Sequence, residues 1–400
     1  MAKEEKKAPK LRFNGYTNDW ERKKLGDVAE KVIQKNNNNA FKNVLTNSAE
    51  YGIISQRDFF ERNIANKNNI STYYIVQNDD FVYNPRISNL APYGPINRNK
   101  TGYTGIIYPL YYVFRVLNIN TAFIEWYFKT TCWHKFMYQH GDSGARSDRF
   151  SIKDNELKKL PIKLPADDME QEKIAKTLTS LDNTLQLHED HLQFLHSFKS
   201  FLLQKMFFDN DIPPLLRFNK FTEKWNQCKL NDHTIVTMGQ SPNSKNYTNN
   251  QTGKILVQGN ADLYKNKILK RVFTTEVTKT AVKNDILISV RAPVGDIARN
   301  QYESVVIGRG IASIKGNDFL YYQLEKMKNN GFWNKYIAGS TFESITGKDL
   351  KNTKIYTTNS DEERKIGNIF SSLTKIIQLQ EHKIDSLKKL KQFLLQNMFI

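Results

Sequence analysis

The sequence predicts an α+β protein in which two β-rich domains are separated by an antiparallel coiled coil of two long helices, with pseudo-two-fold symmetry. Three observations predict this fold: the chain repeats itself, the middle of each repeat is rich in strand-forming residues, and each repeat ends in a long heptad pattern. The chain has 400 residues, of which 39% are hydrophobic and 12% aromatic. It is therefore long enough for two or three domains with cores of their own.

The repeat is visible at two offsets. Near the start of each half, Leu11-Arg12-Phe13 returns 205 positions later as Leu216-Arg217-Phe218. Near the end of each half, Phe201-Leu202-Leu203-Gln204 returns 192 positions later as Phe393-Leu394-Leu395-Gln396. A duplicated half implies two structurally similar domains.

The repeat divides the chain into six consecutive segments. They are a disordered tail at 1–10, a first β-rich domain at 11–165, a first long helix at 166–208, a linker at 209–215, a second β-rich domain at 216–358 and a second long helix at 359–400. Pro213 and Pro214 lie in the linker, where they end the first helix and begin the second half.

Strands are predicted where β-branched and aromatic residues lie between turn formers. These segments are 72–76, 81–83 and 111–116 in the first half, and 254–258 and 285–290 in the second. Short helices are predicted near 122–134 and 318–336. The middles of the halves are less alike than their ends, as expected if the duplicate kept its frame and diverged at a binding surface.

The two long helices are predicted from matched heptad seams. Apolar residues at alternating steps of four and three run from Ile174 to Met206, and again from Ile366 to Met398. We expect a capping box at the start of each helix. The expected boxes pair Asp168 with Gln171 and Ser360 with Glu363.

Both seams have polar residues at the same two positions. If the helices pack antiparallel, His188 lies opposite Gln380, and this polar layer fixes the register. We expect Lys199 and Lys391 to keep their ammonium groups in water. A helix of about 38 residues is roughly 57 Å long, which exceeds the roughly 34 Å of one DNA turn. Such a pair would space two binding domains.

The charge balance indicates a polyanionic partner. Lys and Arg total 59 against 41 acidic residues, which gives a net charge of +18, and this favours nucleic acid. The two cysteines, Cys132 and Cys228, have no paired spacing, so we expect a reducing compartment and no structural zinc. The charged start of the chain does not resemble a secretory signal, and no apolar run is long enough to span a bilayer. We therefore expect a cytoplasmic protein.

Motifs for catalysis or metal binding are weak. No glycine-rich nucleotide loop follows a strand. Asp154, Glu156 and Lys158 only faintly resemble a nuclease set at a predicted loop-to-strand edge, and the helix histidines are spaced by three and five residues rather than four. We therefore predict no catalytic residue and no metal site, and interpret the chain as a binding protein. Two alternatives stay open: a stand-alone DNA-bridging or architectural protein, and a nuclease or methyltransferase with degenerate motifs.

Two stretches of the second half resemble the specificity subunit of type I restriction-modification systems. They are Lys283-Asn284-Asp285-Ile286-Leu287-Ile288-Ser289-Val290-Arg291-Ala292-Pro293-Val294-Gly295-Asp296 and Ile307-Gly308-Arg309-Gly310. The first half matches more loosely, with Arg86 at the position 205 residues before Arg291. It lacks the Arg-Ala-Pro-Val-Gly-Asp run, so residues beyond Arg86 are not carried over between the halves.

The resemblance implies two target-recognition domains, each reading one half of a split sequence in double-stranded DNA. The conserved helices would carry two adenine methyltransferase subunits, and two restriction subunits would complete the nuclease. The chain itself would be non-catalytic and would bind no cofactor. S-adenosylmethionine, ATP and Mg would belong to the partner subunits, and the complex would have no membrane partner.

Candidate DNA contacts are polar residues in predicted loops and at strand ends. Arg suits guanine, Asn and Gln suit adenine, and Lys mostly contacts phosphate. In the first domain the candidates are Gln56, Arg57, Asn84, Arg86, Arg146, Ser147 and Arg149. In the second domain they are Gln258, Asn260, Ser289, Arg291, Arg309, Ser340, Thr341 and Lys348.

Overall fold

The computed structural model describes residues 7–59, 70–142, 148–209, 212–336 and 344–400. These residues form two compact units. The first unit comprises Met1–His188 and Lys383–Ile400, and the second comprises Glu189–His382. Each unit therefore includes the final part of the long helix that begins in the other unit.

The elements of the first unit precede the first long helix. They are β1 (Glu21–Lys24), α1 (Leu25–Val28), β2 (Ala29–Lys31), β3 (Leu45–Ser48), β4 (Gly52–Ser55), α2 (Gln56–Phe59), a 3₁₀ turn (Ile70–Thr72), β5 (Tyr74–Val76), β6 (Phe81–Tyr83), β7 (Ile96–Arg98), β8 (Gly105–Ile107), β9 (Tyr112–Val116), α3 (Thr121–Phe128), α4 (His134–His140), α5 (Asp154–Leu157) and β10 (Pro161–Leu164). The first long helix, α6 (Asp168–Met206), follows.

The elements of the second unit lie between the long helices. They are β11 (Asn226–Lys229), α7 (Leu230–His233), β12 (Val236–Met238), a 3₁₀ turn (Ser244–Asn246), β13 (Tyr247–Thr248), β14 (Lys254–Val257), a 3₁₀ turn (Asn260–Asp262), β15 (Leu263–Tyr264), β16 (Lys267–Ile268), β17 (Val272–Thr274), β18 (Thr280–Val282), β19 (Ile286–Ser289), β20 (Ile297–Arg299), β21 (Ser304–Ile307), β22 (Ile311–Ile314), α8 (Asp318–Asn329), a 3₁₀ turn (Phe332–Tyr336), α9 (Gly347–Lys351) and β23 (Lys354–Thr357). The second long helix is α10 (Ser360–Asn397).

Each unit contains a four-stranded antiparallel sheet. The strand order is β2-β9-β6-β7 in the first unit and β12-β22-β19-β20 in the second. Each unit also pairs a strand near its start with the strand before its long helix, β1 with β10 and β11 with β23. The second unit adds a five-stranded sheet, β13-β17-β14-β21-β18, whereas the first unit has the strand pairs β3–β4 and β5–β8. The predicted α+β fold with two β-rich parts is confirmed.

One of the two central strands of each four-stranded sheet, β6 in the first unit and β19 in the second, is entered through the same turn. Asp79 and Asn284, 205 positions apart, both have a φ of 72°, a left-handed conformation that Asn and Asp adopt more readily than most residues. The next residue is a buried aspartate in both units. Asp80 accepts a hydrogen bond from the Gln77 amide at 2.7 Å, and Asp285 accepts one from Val282 at 2.9 Å. The duplicated frame thus extends to individual side chains.

The end of a long helix packs against a tryptophan in each unit. In the first unit, Phe399 contacts Trp20 with ring centroids 6.3 Å apart. In the second unit, Phe207 contacts Trp225 at the same distance of 6.3 Å. The first unit therefore holds the start of α6 and the end of α10, and the second unit holds the reverse. This confirms the predicted antiparallel direction of the two helices.

A buried arginine–glutamate pair fixes the leading segment of each unit to its helix. Arg12 donates two hydrogen bonds to Glu170, at 2.6 and 2.8 Å. Arg217 makes the equivalent pair with Glu362, at 2.9 and 2.8 Å. Both carboxylates are fully buried, and two parallel N–H···O bonds are a strong, directional arrangement for this pair.

The predicted capping boxes are wrong by one residue in both helices. Asp167, not Asp168, caps α6, because its side chain accepts a hydrogen bond from the Met169 amide at 2.8 Å. Asn359, not Ser360, caps α10 by accepting one from Asp361 at 2.9 Å. The sequence offers an adjacent capping residue at each start, so the pattern alone did not decide between neighbours.

The prediction that Lys199 keeps its ammonium group in water is wrong. Its side chain is only 12% exposed and lies 2.8 Å from Glu325, with the ammonium 5.2 Å from the centre of the Tyr322 ring. A carboxylate and an aromatic face compensate the lost hydration. Lys391 pairs with Asp182, also over an aromatic ring, that of Trp126.

The remaining helix and tail predictions have mixed outcomes. Pairing of His188 with Gln380 would join the two units and stays a prediction. Residues 1–6 of the tail predicted as disordered lie outside the described residues. In the rest of the tail, Pro9 is buried and the Lys7 carbonyl accepts a hydrogen bond from the Trp20 amide. The helix predicted near 122–134 is two helices, α3 and α4.

Candidate nucleic-acid interface

The two candidate arginines lie at equivalent places in the two units. Arg86 follows the central strand β6, and Arg291 follows the central strand β19. Both side chains are exposed. Each residue forms an isolated antiparallel bridge with a later segment, Arg86 with Arg149 and Arg291 with Ser344. The repeated sheet therefore presents an exposed guanidinium at the same position in each unit.

Four of the first-domain candidates line one cleft of about 870 Å³. They are Gln56, Asn84, Arg86 and Arg149. Arg57 is exposed on the same helical turn as Gln56 but does not line this cleft. Arg146 and Ser147 lie outside the described residues.

The floor of the first cleft is a network of buried amides. Asn84 is only 7% exposed, and it donates to the Asn47 carbonyl at 2.8 Å while its own oxygen accepts from the Arg86 amide at 3.0 Å. Asn47 in turn donates to the carbonyls of Val82 and Pro95. Asn84 therefore positions Arg86; a direct contact with DNA stays a prediction.

A glycine makes the Asn84 turn possible. Gly94 has a φ of +83°, and a Cβ added to it would lie 2.0 Å from the Asn84 carbonyl oxygen. Only glycine combines this left-handed conformation with such a close backbone approach. The loop that carries Leu90 and Pro95 is thereby held against Asn84, in the segment between β6 and Arg86.

Aromatic side chains also line the first cleft. Tyr73, Tyr108 and Tyr111 line it together with Leu110. Burial raises the pKa of the Tyr73 hydroxyl above its ordinary value of 10.0. These residues were missed in the sequence, because tyrosines in a strand-rich segment are more often packing residues.

In the second unit, a row of backbone hydrogen bonds gathers the candidate loops. Gly310 donates to Gln258 at 3.1 Å, Val290 donates to Gly310 at 2.9 Å, and Ile345 donates to Val290 at 2.9 Å. This row places the loops of Gln258, Arg309 and Arg291 side by side. Gly310 is required there, since an added Cβ would lie 2.3 Å from the Gln258 carbonyl oxygen.

The cleft of the second unit is smaller, about 530 Å³. Gln258, Asn260 and Pro293 line it, together with Arg271, which sequence analysis missed. Arg271 donates to the Ala261 carbonyl at 2.7 Å. Its residue type could have suggested Arg271, because arginine suits guanine. It was missed because it lies outside the repeated motifs.

Ser289 supports the turn that follows β19. Its hydroxyl is buried, donates to the Pro293 carbonyl and accepts from the Asp296 amide, both at 2.8 Å. Gly295 in this turn packs on Trp333, 2.2 Å from where its Cβ would lie. Ser289 thus positions the turn of Arg291, and its proposed DNA contact stays a prediction.

Other candidates of the second unit are exposed at different places. Arg309 is exposed between two buried glycines, and its amide donates to the Ser241 hydroxyl at 3.1 Å. Lys348 is exposed on α9 and borders a separate depression with Lys229 and Met238. Ser340 and Thr341 lie outside the described residues.

The weak nuclease-like set does not form a catalytic cluster. Asp154 and Glu156 lie on the helical turn α5, not at the loop-to-strand edge that the sequence predicted. Asp154 pairs with Lys31, and Glu156 pairs with Lys159 at 2.7 Å. Within the described ranges, no three His, Cys, Asp or Glu residues are grouped as metal ligands. No helix in this part of the chain has the length and apolarity to span a membrane.

Comparison with known proteins identifies the family. The family model of the type I restriction modification DNA specificity domain matches residues 17–196 and 222–389. A relative from Methanocaldococcus jannaschii, provisionally named the type I restriction enzyme MjaX specificity subunit, is 31% identical over 258 residues. That alignment covers 60% of this chain and 59% of the relative, which is less than two thirds of its length.

Two solved structures share the fold over nearly the whole chain. The type I restriction-modification system S subunit from M. genitalium matches with a TM-score of 0.63 at 16% identity, covering 98% of this chain and 99% of that one. A chain from a structure on complex assembly and conformational transition of the type I R-M system matches with a TM-score of 0.55 at 19% identity, covering 95% and 97%. With its two family matches, one in each repeat, the chain belongs to the type I restriction-modification DNA specificity family.

Proposed function

We propose that this chain reads a bipartite DNA target, with one half-site bound by each unit, and recruits adenine methyltransferase and restriction subunits to it. The observation that carries this proposal is the repeated position of Arg86 and Arg291. Each lies exposed at the end of the central strand of an equivalent sheet. Two equivalent frames with different surrounding side chains suit two half-sites of different sequence.

The surroundings of each arginine support base reading as well as backbone binding. Arg86 shares its cleft with Gln56, and the loop of Arg291 lies beside the loop of Gln258, whose cleft also contains Arg271. Arginine and amide side chains are the groups that pair with base edges in the major groove. The net charge of +18 adds a general attraction to DNA.

The long helices offer repeated surfaces for the methyltransferase subunits. Three exposed apolar positions recur 192 residues apart, which suggests one docking surface on each long helix for two copies of the same partner. The positions are Leu187 and Leu379, Phe198 and Leu390, and Phe201 and Phe393. Exposed apolar residues on a helix face are a common docking surface for partner helices.

Recruitment can be tested by charging this surface. We expect Phe201→Asp together with Phe393→Asp to reduce co-purification of the methyltransferase about 100-fold or more, because one apolar anchor is replaced by a charge at each of the two contacts. The matched control is Tyr138→Asp, at an exposed aromatic residue that lies on α4 and not on a long helix. Equal recovery of methyltransferase with both proteins would contradict the proposed surface.

The chain is proposed to be non-catalytic and to act in the cytoplasm. S-adenosylmethionine would bind the methyltransferase subunits, and ATP and Mg would bind the restriction subunits. The proposed complex contains two of each partner subunit. We expect no methyl transfer by the purified chain alone and transfer to adenine when the methyltransferase subunits are added.

Selection of DNA by the complex tests the bipartite target. We expect the bound sequences to share two short motifs separated by a spacer of fixed length. Insertion of one base pair in the spacer should weaken binding, because each unit then meets its half-site at the wrong position. One continuous motif, or tight binding without sequence preference, would contradict the proposal and favour a DNA-bridging protein.

A further inference from the structure

We propose that Arg86 selects a guanine in the half-site of the first unit, and that Asp148 favours the cytosine paired with it. This inference deepens the proposed function and rests on it. It starts from the geometry of one edge of the first cleft, where Arg86, Asp148 and Arg149 lie together.

The backbone of Arg86 is fixed on both sides. The Phe150 amide donates to the Pro85 carbonyl at 2.8 Å, and the Ile87 amide donates to the Asp148 carbonyl at 3.0 Å. The Arg86 amide itself donates to the buried Asn84 side chain at 3.0 Å. A long side chain that begins from a rigid backbone needs less ordering when it binds, and this favours a role in specific contacts.

The guanidinium groups at this edge have donors to spare. The Arg86 side chain is 62% exposed, and its Nε lies 3.8 Å from the Asp148 carboxylate, beyond a good hydrogen bond. Arg149 adds a second guanidinium to this edge, although its Nε is enclosed and not accessible to a ligand. Because a guanidinium only donates, the missing partner must offer acceptors.

Guanine fits this requirement better than adenine. Its N7 and O6 are two acceptors on the major-groove edge, whereas adenine presents one acceptor and one donor there. A phosphate also offers only acceptors, but Asp148 argues against it, since a carboxylate beside the arginine repels a phosphodiester. The same carboxylate can accept a hydrogen bond from the N4 amino group of cytosine. Arg86 and Asp148 together therefore match a G·C pair.

The apolar side chains that line the cleft favour a base rather than a phosphate as the ligand. Leu90, Tyr108 and Leu110 give the cleft apolar surface beside the arginines. Base edges carry apolar groups, notably the thymine methyl, that pack against such side chains. Phosphate contacts need only donors and gain nothing from this wall.

The test uses the full chain in complex with its methyltransferase subunits and duplexes that carry its methylated motif. In one duplex series, each guanine of the motif is replaced in turn by 7-deazaguanine, which lacks the N7 acceptor. We expect one position of one half-site to weaken binding of the wild type several-fold. Arg86→Gln should lower binding to the G·C duplex by about 5- to 150-fold and should be insensitive to 7-deazaguanine at that position.

Three further variants separate base reading from charge or misfolding. Arg86→Gln should prefer A·T at the affected position, because glutamine pairs with adenine. Arg86→Lys should lose the guanine preference although it keeps the charge. Arg22→Gln, at an exposed arginine that does not line the cleft, should bind as the wild type does. Unchanged recovery of the methyltransferase with each variant shows that the fold is intact.

Two outcomes would overturn the inference in distinguishable ways. If Arg86→Gln weakens all sequences equally and reduces the salt dependence, Arg86 contacts phosphate and the bipartite function stands. If the wild-type complex selects no bipartite motif, the proposed function fails and this inference fails with it.

Discussion

The two units share a frame and differ at the surface that the frame presents. The shared part includes the four-stranded sheets, the left-handed residues Asp79 and Asn284, and the buried arginine–glutamate pairs. The clefts differ in volume, about 870 Å³ against 530 Å³. An amide network supports Arg86, whereas Arg291 lies within a turn that the Ser289 hydroxyl closes by hydrogen bonds.

This contrast teaches how a duplicated protein can recognise two different sequences. The residues that lead into the strand before Arg86 or Arg291 are kept in both units, a left-handed residue followed by a buried aspartate. Residues around the two arginines differ between the units, as expected if they contact two different half-sites. The following predictions test where the shared frame ends.

The largest effect is expected at the buried ion pairs. Glu362→Ala leaves the Arg217 guanidinium without its partner and removes the acceptor of the Trp225 indole N–H at 3.1 Å. We expect a loss of about 3–5 kcal/mol in the free energy of unfolding. Glu170→Ala should cost about 1 kcal/mol less, because Glu170 accepts no hydrogen bond from an indole among the described residues. The equivalent indole nitrogen, that of Trp20, has no partner among those residues. Urea unfolding of the purified chain measures both values, and a larger loss for Glu170→Ala would contradict this reasoning.

Replacement of the two seam lysines, Lys199 and Lys391, should destabilise the protein by different amounts, although the two lysines occupy equivalent positions in the repeat. Lys199 and Glu325 are each 12% exposed, whereas Lys391 is 27% exposed and its partner Asp182 is 42% exposed. We expect Lys199→Met to cost about 2–3 kcal/mol, because it leaves a buried carboxylate, and Lys391→Met less than about 1 kcal/mol. Thermal unfolding of the two variants checks the order. Equal losses would mean that both ion pairs are equally buried in solution.

Acid should weaken the second unit through Glu362. Burial raises the pKa of Glu362, but hydrogen bonds from Arg217 and Thr358 outweigh it and leave the pKa below the ordinary 4.5. The stabilisation is therefore complete above pH 4.5 and is lost as the pH falls through the lower folded value. We expect the stability of Glu362→Gln to depend less on pH than that of the wild type in this range. Parallel pH curves for the two proteins would contradict the assignment.

The smallest effect is expected at the helix starts. Asp167→Ala and Asn359→Ala should each cost about 1 kcal/mol, because each removes a capping acceptor. The neighbouring changes Asp168→Ala and Ser360→Ala should cost less than half as much. Chemical unfolding of the four variants distinguishes the two sets, and the reverse order would restore the capping boxes that the sequence suggested.

The repeat allowed much of the frame to be predicted from the sequence. The heptad seams gave α6 and α10 to within two or three residues of the predicted bounds, and β6 was predicted at its observed position. The position of Arg86 followed from its offset to Arg291. These features are periodic or duplicated, so the sequence shows each pattern more than once.

The clefts could not be predicted because they depend on contacts distant in sequence. Asn47 lies 37 positions from Asn84, yet its carbonyl accepts the hydrogen bond from the Asn84 side chain, whose oxygen in turn accepts from the Arg86 amide. The Glu170 and Glu362 carboxylates were overlooked as well, although each recurs at the 192-residue offset. Their role depends on burial against Arg12 and Arg217, and burial of a charged residue is not visible in the sequence.

One exchange tests the central claim that each unit reads its own half-site. Residues 30–160 would be replaced by the corresponding block of another family member, and the motif would be mapped from methylated adenines in cells that contain the partner subunits. The account predicts that one half of the motif changes while the other half and the spacer stay the same. A change in both halves, or in neither, would contradict it.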